Sequence, residues 1–144
     1  MMMSSKFEDT QSIALNDPRF QAMLAALDDN NGTATLSSYS EVMLLIDGMT
    51  ARFVITNQQE YYLGRFLTPE AGQIDLNPFG ALHHGVSRNH AKFVIDNDRL
   101  YVVDLSSSNG TYVRRTRLHP YEPALINAGD EILLGRMRIQ VIFQ

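Results

Sequence analysis

An all-β sandwich is the fold class this sequence predicts, and three observations carry it. From Glu41 onward, short segments rich in β-branched and aromatic residues follow one another: VMLLID, ARFVIT, YYLGR, AKFVI, LYVVDL and TYVR. Turn formers separate them, among them Asp47-Gly48, Asn57-Gln58 and Asp96-Asn97-Asp98. The closing stretch RMRIQVIF alternates, with Met137, Ile139, Val141 and Phe143 on one face and Arg136, Arg138 and Gln140 on the other. About ten short strands with no helix between them indicate two packed sheets.

The composition changes near residue 40, which divides the chain into a leader (1–40) and a β domain (41–144). Within the leader, Asp17 suits a helix N-cap and Pro18 the first helical position. Phe20, Met23, Leu24 and Leu27 then recur at helical spacing, so a short amphipathic helix is expected over about residues 17–28, closed by Asp28, Asp29, Asn30, Asn31 and Gly32. A helix of that length is not stable alone in water. It must dock on the domain or on a partner, and homotypic association through the Phe20/Leu24/Leu27 stripe is one such contact. The segment GTATLSSYS (32–40) reads as a linker.

Bulk properties exclude several classes. No apolar run approaches the roughly 18–20 residues of a membrane-spanning helix, so no membrane association is expected. The start, MMMSSKFEDTQS, lacks the apolar core of a secretory signal. No cysteine points to an oxidising compartment, so a cytoplasmic location is expected. The net charge of −4 argues against nucleic-acid coating. Two basic and five acidic residues lie in 1–40, against ten basic and eleven acidic in the rest, so an acidic leader precedes a nearly neutral domain.

In a sandwich, function usually sits in the loops at one end. Three loop segments hold polar residues that strand pairing does not explain: Gly64-Arg65, Ser87-Arg88-Asn89-His90, and Ser106 to Thr111 (SSSNGT). Together they offer two guanidinium groups, several hydroxyls and a carboxamide. That set suits a phosphate, because the arginine fork matches phosphate oxygens while hydroxyls and backbone N–H groups fill the remaining acceptor sites. No matching carboxylate cluster suits acid–base catalysis or a metal, so neither a catalytic residue nor a cofactor is expected.

The order GR, then S-R-x-H-A, then S-x-N-G-T, then a late A-G-D-E-I-x-L-G resembles the forkhead-associated (FHA) family over roughly residues 41–144. The resemblance implies an eleven-stranded β-sandwich, here with a short N-terminal helical appendage, whose loops bind a phosphothreonine peptide. It implies that Arg65 grips the phosphate and that Gly64 makes room for the backbone beside it. Ser87 would bond a phosphate oxygen, and Arg88 would bring a second basic side chain. His90 would brace the loops from behind, and Asn109 would bond the peptide main chain. Ser108 stands where many relatives have threonine; its hydroxyl still meets phosphate but lacks a methyl that helps hold the loop. Gly110 and Thr111 look structural, the first for a tight turn and the second opening the next strand. The partners implied are a Thr-phosphorylated protein and an upstream Ser/Thr kinase, with the chain acting as a non-enzymatic signalling adaptor. A scaffolding protein making phosphate-independent contacts is the alternative.

Selectivity at the third residue after phosphothreonine normally comes from variable loops in this family. The loop from Leu67 to Val86 is long, and Gly85 stands where some relatives place a reading side chain, which moves that task to His83, His84 or the 114–117 segment. Several blander readings stand beside these. Arg65 alone fits a solvated strand end, and Asn109-Gly110 fits a two-residue hairpin turn as well as a ligand role. Asn31-Gly32-Thr33 and Asn109-Gly110-Thr111 match an N-glycosylation pattern but lack the secretory context. Adjacent His83 and His84 on a strand point to opposite faces and chelate poorly, and no thiol or carboxylate stands at ligand spacing from them, His90 or His119. Ser87, His90 and Asp104 lack the G-x-S-x-G setting of a hydrolase. Arg114-Arg115-Thr116-Arg117 reads as a solvated hairpin edge, or as a patch steering acidic peptides. Finally, Thr10 has acids before it and Ile13 three residues after it; the plainer reading is an unmodified threonine in a terminal tail, and the sharper one is that a phosphorylated Thr10 would resemble a target for the domain it precedes.

Overall fold

Strand breaks fall where the chain turns left-handed. The computed structural model describes residues 18–30, 36, 41–54 and 59–144. β1 (Glu41–Ile46) and β2 (Met49–Val54) join through Asp47-Gly48, with φ of 50° and 79°. β5 (Asn89–Asp96) and β6 (Arg99–Asp104) join through Asn97-Asp98, with φ of 49° and 65°. Two consecutive positive φ angles give the turn whose twist matches the flanking strands. β7 (Thr111–Val113) and β8 (Thr116–Arg117) use the same geometry at Arg114-Arg115, although neither residue is a usual turn former there.

The other strands are β3 (Glu60–Gly64), β4 (Gln73–Asp75), β9 (Ala124–Ile126), β10 (Glu131–Leu134) and β11 (Met137–Phe143). The eleven strands form a six-stranded sheet, β2-β1-β11-β10-β7-β8, and a five-stranded sheet, β4-β3-β5-β6-β9. Pairing is antiparallel except between β3 and β4. The alternation read in RMRIQVIF is the pattern observed: Met137, Ile139, Val141 and Phe143 are buried, while Arg138 and Gln140 are exposed. They pack with Val42, Leu44, Ile132 and Leu134 against Leu63, Phe93, Leu100 and Val102 of the facing sheet.

Two expectations change here. Asn109-Gly110 is not a hairpin turn, because β6 and β7 belong to different sheets and the segment between them crosses from one to the other. The Leu67–Val86 stretch also carries structure of its own: β4, parallel to β3, and a short 3-10 helix at Asn77–Phe79. The side chain of Asp75 holds this excursion by accepting the N–H groups of Phe66 (3.1 Å) and Asn77 (3.0 Å).

The helix α1 spans Pro18–Asn30, two residues beyond the expected end. Phe20 and Leu24 are completely buried against Val94, Tyr101, Val103 and Leu125, the outward residues of the five-stranded sheet. The docking question is thereby answered within the chain. Phe20 and Leu24 face their own domain, so these two residues of the stripe are engaged intramolecularly. Lys92 marks the edge of the contact: it is buried, its Nζ lies 6.0 Å from the Phe20 ring and 2.6 Å from Glu60 Oε2. Leu36 is likewise buried in the sandwich core, and its N–H donates to the Asp98 carbonyl (2.8 Å). Thr10, the Asp17 cap and the Asn57-Gln58 turn lie outside the described residues.

Candidate functional site

The phosphate-directed residues gather where β3 ends and β5 begins. A Cβ placed on Gly64 would stand 1.8 Å from the Arg88 carbonyl oxygen, so only glycine lets the end of β3 approach the 87–88 backbone. The Arg65 N–H then donates to the Arg88 carbonyl (3.0 Å), and Arg65 Nε donates to the Val86 carbonyl (2.8 Å). One edge of the guanidinium is thus fixed by the loop, and its terminal nitrogens remain to meet an anion. The solvated strand-end reading of Arg65 does not describe a side chain held in this way. Arg88 is exposed, and both arginines line a cavity of about 600 Å³ together with Phe66, Thr68 and Asn89.

Ser87 connects this edge to the 106–111 crossover. Its Oγ accepts the Ser108 N–H (3.2 Å), which orients the hydroxyl and leaves its proton to donate. Ser108 and Asn109 are both exposed beside it. Asn109 Nδ2 donates to the Gly85 carbonyl (2.9 Å), so its amide oxygen and second N–H can serve a peptide main chain. Arg65, Ser87, Arg88, Ser108 and Asn109 therefore stand on one continuous rim, as the sequence motifs suggested.

Behind the rim lies a buried bracing layer. His90 is fully buried; its Nδ1 accepts the Ser87 N–H (2.9 Å), so Nε2 carries the proton and donates to the Gly110 carbonyl (2.9 Å). Burial lowers the His90 pKa from its ordinary value, outweighing the Gly110 carbonyl and Asp104, which act in the opposite direction. Asp104 is the brace that sequence reasoning did not assign. Its buried carboxylate accepts the hydroxyls of Ser107 (2.5 Å) and Thr111 (2.7 Å) and the Ser107 N–H (3.2 Å). Ser107 Oγ in turn accepts the Gly110 N–H (3.0 Å). An acid at a strand end followed by a serine-rich turn is the local signal that points to this role. Thr111, wholly buried, opens β7, and Gly110 adopts a φ of 88°.

These contacts do not assemble Ser87, His90 and Asp104 into a catalytic triad. Both His90 nitrogens are engaged by backbone groups, and the backbone of Ser87 rather than its hydroxyl meets the ring. Asp104 serves Ser107 and Thr111. Among the described residues, no group of three or more His, Cys, Asp or Glu is placed to hold a metal. No helix among them is long and apolar enough to cross a membrane. The basic run is divided in its tasks: Arg114 pairs with Asp130 and donates to the Leu125 carbonyl (3.2 Å), while Arg117 lies 5.9 Å from the Tyr112 ring.

Comparison with known proteins agrees with this geometry. The family model described as FHA domain matches residues 61–135. The glycogen accumulation regulator GarA of Mycobacterium tuberculosis is 44% identical over 54 residues, which is 38% of this chain and 32% of GarA. The oxoglutarate dehydrogenase inhibitor of Corynebacterium jeikeium is also 44% identical over 54 residues, 38% of this chain and 35% of the inhibitor. These matches span only about a third of each relative's length. A domain solved in a study of phosphothreonine-dependent FHA domain interactions superposes with a TM-score of 0.55 at 27% identity, over 72% of this chain and 97% of that one.

Proposed function

This chain belongs to the FHA family, a family of phosphothreonine-binding modules, and we propose that it is a non-enzymatic adaptor that binds Thr-phosphorylated proteins downstream of a Ser/Thr kinase, in the cytoplasm. Residues 41–144 form the reading domain. The observation that carries this is the convergence of Arg65, Ser87 and Arg88 on one rim, with Ser87 Oγ already oriented by the Ser108 N–H. Phosphothreonine brings roughly −1.5 to −2 charges and three acceptor oxygens to that rim. Each charge-assisted bond contributes on the order of 1.5–3 kcal/mol, so the phosphate dominates recognition. The names of the two relatives, a regulator and an inhibitor, support a regulatory role.

The test compares binding of a phosphothreonine peptide with its unphosphorylated form, using the wild-type chain and Arg65→Ala. We expect binding only with phosphate, weakened about a hundredfold by Arg65→Ala. Partner capture that survives both phosphatase treatment and Arg65→Ala would instead establish the phosphate-independent scaffold.

Thr10 is part of the same reading, as an internal ligand or as a bridge to a second copy. α1 anchors the leader: Phe20 lies beside Lys92, and Arg88 is four residues along the chain from Lys92, about 13 Å at strand spacing. The eight residues from Thr10 to the start of α1 at Pro18 reach up to about 27 Å, which is ample for that span. Phosphorylation of Thr10 in the full chain should weaken capture of an added phosphopeptide. Affinity unchanged by the modification removes self-binding from the proposal.

A further inference from the structure

Gly85 faces a problem that Arg136 solves. With φ at 77°, and with a Cβ there lying 2.7 Å from Asn109 Nδ2, position 85 has no room for a side chain that reads a peptide. The same imagined Cβ would lie 3.5 Å from Arg136 Nη1, so the Arg136 guanidinium occupies the neighbouring space. Arg136 comes from a different element, the β10–β11 turn, and that turn is locked onto the loop. The Arg136 N–H donates to the His84 carbonyl (2.8 Å), Arg136 Nη2 donates to the His83 carbonyl (2.7 Å), and the Gly135 N–H donates to the Gly110 carbonyl (2.9 Å). A Cβ on Gly135 would stand 2.7 Å from the carbonyl oxygens of both His84 and Gly85, so the approach is as close as glycine allows.

The side chain is exposed, yet one of its nitrogens is pinned, which fixes the direction of the other. It lines a groove of about 390 Å³ with His84, Phe79 and Met137. The carboxylates in that groove are Glu131, which stands 3.7 Å from Arg138, and Asp47 at the β1–β2 turn. Glu131 is thus matched by its own arginine, and Arg136 is the cation held against the Gly85 backbone.

We propose that Arg136 is a specificity-determining residue that recognises an acidic side chain within three residues of the phosphothreonine. The register follows from chain geometry. Position 85 is three residues from Arg88, at most about 10 Å, and an extended peptide covers that distance in three residues. Asn109, exposed on the same rim, holds Gly85 by its side chain. The proposal rests on the phosphopeptide reading above and adds a second charged subsite to it. It replaces His83, His84 and residues 114–117 as the expected selectivity determinant.

The experiment measures the affinity of the full chain for phosphothreonine peptides carrying aspartate or asparagine at each of the three positions on either side. At one position the aspartate peptide should bind about two- to fivefold tighter, the range of a partly exposed charge pair. Arg136→Gln should abolish that difference while leaving the asparagine peptide unaffected, and Arg136→Lys should retain it. A purely structural role would instead weaken both peptides equally in Arg136→Gln, and that result overturns the assignment. So does a wild-type chain indifferent to aspartate at all six positions. Phosphate-dependent binding without acid preference sinks this inference alone, whereas absence of phosphate dependence brings down the phosphopeptide reading with it.

Discussion

The two sheets of this sandwich treat their outer faces differently. In the six-stranded sheet the strands alternate cleanly: β1 and β11 turn Val42, Leu44, Ile139 and Val141 inward, and Met43, Leu45 and Ile142 outward to partial exposure. In the five-stranded sheet, β5 is buried without a break from His90 to Val94, and β6 from Leu100 to Asp104. The core covers one face of those strands and α1 covers the other, which is why their burial does not alternate. The doubly covered sheet also carries one end of the candidate site, since Gly64, Asn89 and Asp104 lie at the ends of its three central strands. The candidate-site loops at these strand ends hang from the layer that is covered on both faces.

The sheets are tied together just behind those loops, and cutting a tie is the most direct way to break the contrast. Asp104 of β6 bonds Thr111 of β7, which joins the five-stranded to the six-stranded sheet, and His90 of β5 bonds the carbonyl of Gly110 in the crossover just before β7. Asp104→Ala removes a buried acceptor of three hydrogen bonds and leaves the Thr111 hydroxyl unmatched. We expect a loss of about 3 kcal/mol in denaturant unfolding, and a larger loss than Asp104→Asn, which keeps one acceptor oxygen. Equal stability of wild type and Asp104→Ala would show that the crossover is held elsewhere.

The second link carries a pH signature. The folded chain favours neutral His90, because its Nδ1 must accept the Ser87 N–H and because burial opposes charge. Its pKa is lower folded than unfolded, so this group's contribution is complete above the unfolded value. It is lost as pH falls from there through the folded value. An NMR titration of the imidazole should place the His90 midpoint below the ordinary histidine value of about 6.5. Phosphopeptide affinity should fall as that proton adds, since protonation ends the hold on Ser87. A midpoint at or above the ordinary value would contradict burial as the dominant influence on His90.

What the sequence made legible follows the same division. Arg65, Ser87, Arg88 and Asn109 could be singled out because their residue types suit a phosphate and their motifs are local, and the structure brings them together on one rim. Asp104 was missed as a brace because its partners are hydroxyls, which fit many roles, and the link to Thr111 exists only once the sheets stack. Arg136 was read as a strand residue on the exposed face of β11; its proximity to Gly85 depends on packing between segments about fifty residues apart. The Asn109-Gly110 pair misled because turn chemistry is local while sheet membership is not. The helix was legible in its stripe, but its docking surface on β5 and β6 was not, because it exists only once those strands are paired and stacked.

A matched pair of small substitutions sharpens the comparison between sheets. Val94→Thr places a hydroxyl in the seam between β5 and α1, where Val94 is fully buried among Phe20, Leu24 and Tyr101. Ile142→Thr places one on the outward face of β11, where the side chain is already half-exposed and water can satisfy it. A hydroxyl buried without a designed partner costs about 1–3 kcal/mol, whereas a change on a partly solvated strand face stays within about 0.5 kcal/mol. Thermal unfolding of the two variants should therefore separate them, although threonine keeps β-branching at both sites and strand propensity barely changes. Limited proteolysis adds the structural half of the argument. Cleavage in the 1–40 leader should accelerate in Val94→Thr, where the α1 seam is weakened, and stay at the wild-type rate in Ile142→Thr. Equal costs for the two would mean that α1 adds no effective cover, and that the five-stranded sheet is no more closed than its partner.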